Sequence, residues 1–366
     1  MLGYRVLVGD LVTNTLYDEL PVTRVNFSRV LNGPGKCDIS MSPNPQSELL
    51  RKKLEAYKIA PARTAIYIEK DGVILWAGVL WEVFVVYPAN RLRIIGEGFW
   101  SYFRRRIIDE TTTFTDRDQH YVAKTLIDNA LAETGGDIAG ISTLATNVTS
   151  GVNVSRTYYN YQRRFVGEAI EDLANREGGF DFDIESTWKN PYGTEFISND
   201  FQCYYPRKGT RAETIFDLDA NLLRVQWQQK GQKFVNKLYM IGGGSASDTV
   251  LTESQDVSSI YYGYPLLEHR LAKKEITGPA TLLEHANREL QLRNQVFQTL
   301  TIEVNPKGTE TRIGAFTTGD VARVRANRGY LDLDKFYRVM SYEVYVNQDS
   351  NDERISVVLS SVEATL

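Results

Sequence analysis

Polar and apolar positions change their period along the chain, and those changes mark the predicted elements. A short apolar run, "YRVLVGD", ends in a Gly-Asp turn, and "VNFSRV" follows it. The stretch Asn32, Gly33, Pro34, Gly35 reads as a four-residue turn, with glycines supplying positive φ and proline a fixed φ. Beyond it Cys37, Ile39 and Met41 alternate with Lys36, Asp38 and Ser40, the period-2 mark of a half-buried strand. The period then lengthens. From Gln46 to Tyr57, Leu49, Leu50, Leu54 and Tyr57 fall at helical spacing, with Asn44 as cap and Pro45 at the first helical position. Strands resume with an Asp-Gly hairpin turn at Asp71 and Gly72. "YPAN" is a further turn, and "FWSYFRRRII" reads as a short helix.

Residues 111–205 differ. Val122, Leu126, Ile127, Ala130 and Leu131 share one helical face behind Asp116 as cap, and a second amphipathic helix carries Phe165, Ala169, Ile170 and Leu173 inward. Gly178 and Gly179 stop it, and "FDFDIEST" and "FISNDFQCYYP" read as strands. From residue 206 strands return. A polar, glycine-rich stretch begins at Gly242, and a helix over "PATLLEHANRELQLRNQ" carries Leu282, Leu283, Ala286 and Leu290. Four strand-like segments complete the chain. The order strands, helix, meander therefore occurs twice. The expected fold is β-rich α+β: a β-barrel-like domain over 1–110, an α+β domain over 111–205, and a second barrel-like domain over 206–366 with a flexible, variable insertion near 242–278.

Composition narrows the classes. At 366 residues the chain is too long for one ordinary core. Its 42% hydrophobic and 24% charged content is that of a globular protein. The net charge of -4 argues against a nucleic-acid binder, which is usually basic in at least one domain. Cys37 and Cys203 are too few for a disulfide framework and read as buried small hydrophobes. No stretch has the ~18 uncharged apolar residues of a membrane helix, and the N-terminal apolar run is too short for a signal peptide. The expectation is no stable membrane insertion.

Candidate chemistry is thin. His120, His269 and His285 lie in no metal-binding spacing. Asp181, Asp183 and Glu185 share one face of a strand opposite Phe180, Phe182 and Ile184. Burial could split their pKa values for acid–base work, but the alternation alone explains a solvent face opposite a core face. Asp217, Asp219 and Asn221 begin like a calcium loop, yet Leu222 and Gln228 stand where glycine and glutamate are needed. The tip Asn347 to Glu353 reads as a polar turn, and "GGGSAS" lacks the Lys-Ser/Thr of a phosphate loop. Arg104 to Arg106, Arg163 and Arg164 read as solvated faces or intersubunit ion pairs. No catalytic residue, cofactor or metal site is expected.

Several stretches resemble one family. "DELPVTRVNFSRVLNGPGKCDISM" is similar to the opening of the tail hub proteins of long-tailed bacteriophages, also labelled baseplate hub or minor tail proteins. "GVILWAGVLWEVFVVYPANRLRIIGEGFWSYFRRRII" resembles the continuation of that barrel. "FTTGDVARVRA" and "KFYRVMSYEV" resemble the C-terminal barrel, and "FVNKLYMIGG" the strand before the insertion. The resemblance implies a structural virion protein at the tail tip, assembled in the host cytoplasm. Three chains would present six similar domains in a ring that joins a sixfold tube to a threefold tip and lets the genome pass. The implied partners are further copies of itself, the tube protein or distal tail ring, tip or spike proteins, the tape-measure C-terminus, and DNA in passage. The expected interface residues are Asn32, Gly33, Pro34, Gly35, Leu50, Leu54, Leu283, Leu290, Gly319 and Asp320. Two alternatives stand beside this: an envelope or glycan hydrolase using Asp181 and Asp183, and a glycan-binding module with Trp188 or tyrosine-rich strands as platform.

Overall fold

The computed structural model describes residues 2–41, 59–86, 88, 91–176, 178–190, 195–274 and 276–361. The expected helix over 46–57, with Leu50 and Leu54, and most of the "YPAN" turn lie outside the described residues. The first block holds β1 (Tyr4–Asp10), β2 (Leu16–Leu20), β3 (Arg24–Val30), β4 (Gly33–Met41), β5 (Thr64–Lys70), β6 (Val73–Val86) and β7 (Arg91–Gly98). A one-turn helix, Trp100–Phe103, follows. Next come β8 (Thr112–Asp118), helix Gln119–Ala132, β9 (Ile141–Ser142), β10 (Asn153–Tyr158), helix Val166–Ala174, β11 (Asp181–Lys189) and β12 (Phe196–Tyr204). Then come β13 (Arg211–Asp217), β14 (Leu222–Lys230), β15 (Lys237–Ile241), β16 (Leu251–Gln255) and β17 (Glu268–Ala272). Helix Pro279–Arg293 precedes β18 (Phe297–Val304), β19 (Val321–Arg328), β20 (Leu331–Asn347) and β21 (Asp352–Ser361).

One 13-stranded sheet dominates, in the order β14-β18-β21-β20-β3-β4-β7-β6-β5-β1-β2, with β19 on β20 and β13 on β19. The first and last strand blocks are thus hydrogen-bonded to each other. β20 is long enough to serve three neighbours, β21, β19 and β3. Its first part pairs with β19 as far as Arg338, and its second part pairs with β3 from Ser341↔Val30 to Asn347↔Arg24. Local chemistry sets several turns. Asp71 and Gly72 both have positive φ, as a two-residue hairpin between right-twisted strands requires. Cys37, Ile39 and Met41 point inward as their alternation predicts, all buried.

The turn before them is displaced from its expected position. The β3–β4 connection is Leu31–Asn32, with Asn32 in the left-handed region, and Gly33, Pro34 and Gly35 already belong to β4. Asparagine tolerates that conformation, and proline is accepted at the start of a strand, where no ladder N–H is lost. The cap of helix Gln119–Ala132 is Asp118, which accepts from the His120 N–H, two residues beyond the expected Asp116.

The described residues form two compact units, 2–225 with 302–359 and 226–301 with 360–361. In the first, one apolar core runs from Leu7, Tyr67 and Val79 through Trp100 and Phe103 to Leu126, Ile170, Phe182 and Phe201. The α+β segment therefore shares a core with the first strand block. In the second, helix Pro279–Arg293 lies on the sheet β16-β15-β17 and buries Leu282, Ala286 and Leu290 against Val235, Leu238 and Met240. Two strands of this sheet, β16 and β17, fall within the expected insertion. Gly242 serves close packing there: a Cβ on it would stand 2.6 Å from the Ile276 carbonyl oxygen. A glycine run reads as a linker in sequence, but here it lets two backbone segments touch.

Candidate functional site: a buried polar junction

Strand β11 carries two faces, and both are used. Phe182 turns into the core against Trp100, with ring centroids 4.3 Å apart. The opposite face, expected to meet solvent, meets cations brought from distant parts of the chain. Asp181 is 4% exposed and forms an ion pair with Arg338 of β20, itself 2% exposed. The same guanidinium donates to the carbonyl oxygens of Lys208, at 3.1 Å, and Gly319, at 3.2 Å. Asp181 also accepts from the Lys208 N–H at 2.7 Å and from the Asn32 amide at 2.9 Å, while Asn32 accepts from the Phe182 N–H.

Two residues along, Asp183 lies between the Arg29 guanidinium and the Lys208 ammonium. Burial alone would raise its pKa, but these two cations outweigh that and hold it below the usual carboxylate range. Lys208 also reaches Glu185 at 3.2 Å, and Glu185 accepts from the Tyr204 hydroxyl. Burial and that hydrogen bond raise the Tyr204 pKa. Burial pushes nearby Tyr342 up to about 12. The three carboxylates are ion-paired along the strand.

A backbone crossing closes the junction. Gly209 and Gly319 both have positive φ, and a Cβ on Gly319 would stand 2.6 Å from the Lys208 carbonyl oxygen. Only glycine lets these segments pass so closely. Asp320 then accepts from the Thr210 and Thr317 N–H groups, each at 2.9 Å, and so fixes both sides of the crossing.

Three expected interface residues, Asn32, Gly319 and Asp320, therefore meet at this junction within the chain. Gly35 and Leu290 are buried as well. Gly33 and Pro34 are half-buried, and Leu283 is exposed on its helix. The acidic alternation of β11 is readable in sequence. Its partners Arg29, Lys208 and Arg338 carry no local signal, because each becomes meaningful only through tertiary pairing.

The other candidates resolve into local structure. Asp217 and Asn221 close an Asx-type turn, with Asn221 accepting from the Asp217 N–H at 2.9 Å. Asn347 accepts from the Asp349 N–H in the tip between β20 and β21. His120 is fully buried, with Nδ1 2.8 Å from the Asn147 carbonyl oxygen. Burial raises the pKa of both Cys37 and Cys203. Among the described residues no group of three or more His, Cys, Asp or Glu is arranged to hold a metal. No described helix is long and apolar enough to cross a membrane.

No protein-family model matches the chain, and no curated protein matches it in sequence. Solved structures do match its fold. A 43 kDa prophage tail protein from Shewanella oneidensis is 12% identical with a TM-score of 0.65, over 98% of this chain and 99% of that one. A tail protein from Neisseria meningitidis is 15% identical with a TM-score of 0.60, over 99% and 98%. A prophage tail protein from Listeria monocytogenes is 11% identical with a TM-score of 0.54, over 97% and 94%. These likenesses run end to end, so the chain has the fold of the phage tail proteins.

Proposed function

We propose that this chain is a structural component of a phage tail tip, a hub that assembles with copies of itself and with neighbouring tail proteins. The observation that carries the reading is the end-to-end fold match to prophage tail proteins, with 98% and 99% of the two chains covered in one case. A match to a single domain would fit many functions, but a match over the whole chain fits the same kind of part. In this reading three copies form a ring in which the first and last strand blocks of each chain stand as near-equivalent positions. The ring adapts a sixfold tube to a threefold tip, and DNA passes through its lumen. The partners are the tube protein or distal ring, tip or spike proteins, and the end of the tape-measure protein. The net charge of -4 agrees in sign with a lumen that DNA slides through without sticking.

The ion pairing of Asp181, Asp183 and Glu185 supports a non-enzymatic role. A retaining or inverting glycosidase needs one carboxyl kept protonated near neutral pH, whereas Arg29 and Lys208 hold Asp183 ionised. To test the hub reading, the purified full chain is examined by sedimentation and electron microscopy, and virions by antibody labelling. Threefold rings and label at the tail tip are expected. A strictly monomeric chain absent from virions would end the proposal.

A further inference from the structure

The first compact unit holds a cavity of about 260 Å³ between the last turn of helix Gln119–Ala132 and the segment 107–112. Its floor is apolar. Ile108, Leu126, Ala130 and Val166 line it, and all four are buried. Asp109, Glu110 and Glu133 line it as well. Glu133 is paired with Arg106 at 2.5 Å. Asp109 and Glu110 are exposed and have no ion-pair partner among the described residues. The three acids therefore outnumber the one cation beside them. The helix adds to the same sign, because its C-terminus carries the negative end of its dipole and its last turn holds no basic residue.

We infer that this cavity receives the side chain of a lysine presented by a neighbouring chain. Its volume suits a single side chain, since sites for drug-sized ligands run from about 300 to 1,000 Å³. The floor selects the stem and the acids select the head. Lysine buries its methylenes along apolar surface while its ammonium stays with polar partners. An inorganic cation gains nothing from the floor, and a leucine or phenylalanine gains nothing from the acids. Lysine also suits the site better than arginine. Its ammonium carries three donors that turn freely, so it serves acceptors on several sides, here two carboxylates and the end of a helix. A guanidinium needs its acceptors in its own plane. The inference rests on the hub reading for the presence of an adjoining chain, and on the cavity for the chemistry of the contact.

The test uses the full chain, with isotope-labelled methyl groups on isoleucine, leucine and valine. The probe is N-acetyl-lysine N-methylamide. On its addition the methyl resonances of Ile108, Leu126 and Val166 are expected to shift, while those of Val344 in β20 stay as the internal control. The norleucine analogue keeps the stem and lacks the ammonium, and is expected to bind about 5-fold more weakly. The double variant Asp109→Asn with Glu110→Gln is expected to weaken the lysine probe by a similar factor. Both residues are exposed, so the control resonances are unchanged in that variant. Equal binding of the two probes overturns the assignment. So does a double variant that binds lysine as the wild type does, or an arginine analogue that binds more tightly. In virions, carbodiimide coupling is expected to join Asp109 or Glu110 to a lysine of another chain. Virions that contain this chain but yield no such link overturn the inference and leave the hub reading intact. A chain absent from virions ends the hub reading, while the probe titration still decides the chemistry of the cavity.

Discussion

Arg338 and Asp181, 157 residues apart in sequence, form a buried ion pair between β20 and β11. The pair ties the last strand block to the α+β segment, and Asn32 adds the first block to the same carboxylate. Three stretches of chain thus depend on one side chain. Arg338→Met removes the cation and leaves Asp181 buried, which costs ~3–5 kcal/mol. The denaturant midpoint falls accordingly. The double variant Asp181→Leu with Arg338→Met recovers part of that loss, because no buried charge remains unpaired.

Gly319→Ala tests the backbone crossing. Its φ of +97° and the 2.6 Å approach to the Lys208 carbonyl oxygen leave no place for a methyl group. A cost of about 1–3 kcal/mol is expected, read as a lower thermal midpoint. Gly314→Ala is the control: its φ is also positive, at +91°, but a Cβ there meets nothing within 4 Å, so it isolates strain from collision and should cost less.

His120 sets a pH dependence. Burial lowers its pKa below the usual ~6.5, against smaller opposing effects of the Asn147 carbonyl and Asp118. Its Nε2 has no partner among the described residues. The unfolded chain takes up this proton first, so the contribution is fully present above the unfolded pKa and declines as pH falls from about 6.5 toward the folded value. Urea titrations of the wild type from pH 7.5 to 5 should show that decline, and the wild-type excess over His120→Leu should shrink across the same window. An excess that grows toward pH 5 would contradict the assignment.

Leu282 is fully buried in the core of the second unit, among Val235, Leu238, Met240, Ala286 and Leu290. Leu282→Ala costs about 2–5 kcal/mol there. That core is small, so amides of β15, β16 and β17 should lose hydrogen-exchange protection first. Amides of β3 and β5 in the first unit should keep theirs.

Local patterns encode part of this fold. The inward set Cys37, Ile39 and Met41, the Asp71-Gly72 turn, and the helices over 119–132, 166–174 and 279–293 follow from period and turn chemistry. The first turn lies earlier than its glycines suggest, because Asn32 takes a left-handed position at the connection, while Gly35, also at positive φ as expected, lies within β4. Residues 242–278 look like a linker in sequence because close backbone packing and flexibility select the same residue, glycine. Asp181 and Asp183 look solvent-facing because alternation reports that a strand has two faces, and says nothing of what covers each. The junction's cations lie 25 to 157 residues from the aspartates they pair with, beyond the reach of any periodic signal.

The pairing of β20 with β3 and β19 has a mechanical meaning. Its ladder to β3 runs in register from Arg24↔Asn347 to Val30↔Ser341, with the strands antiparallel and side by side. Tension that drags β20 along its own axis, with β3 held, strains all of those rungs at once and cannot open them singly like a zipper. The same strand passes the pull to β19 through its other half. The sheet then behaves as a stiff strap.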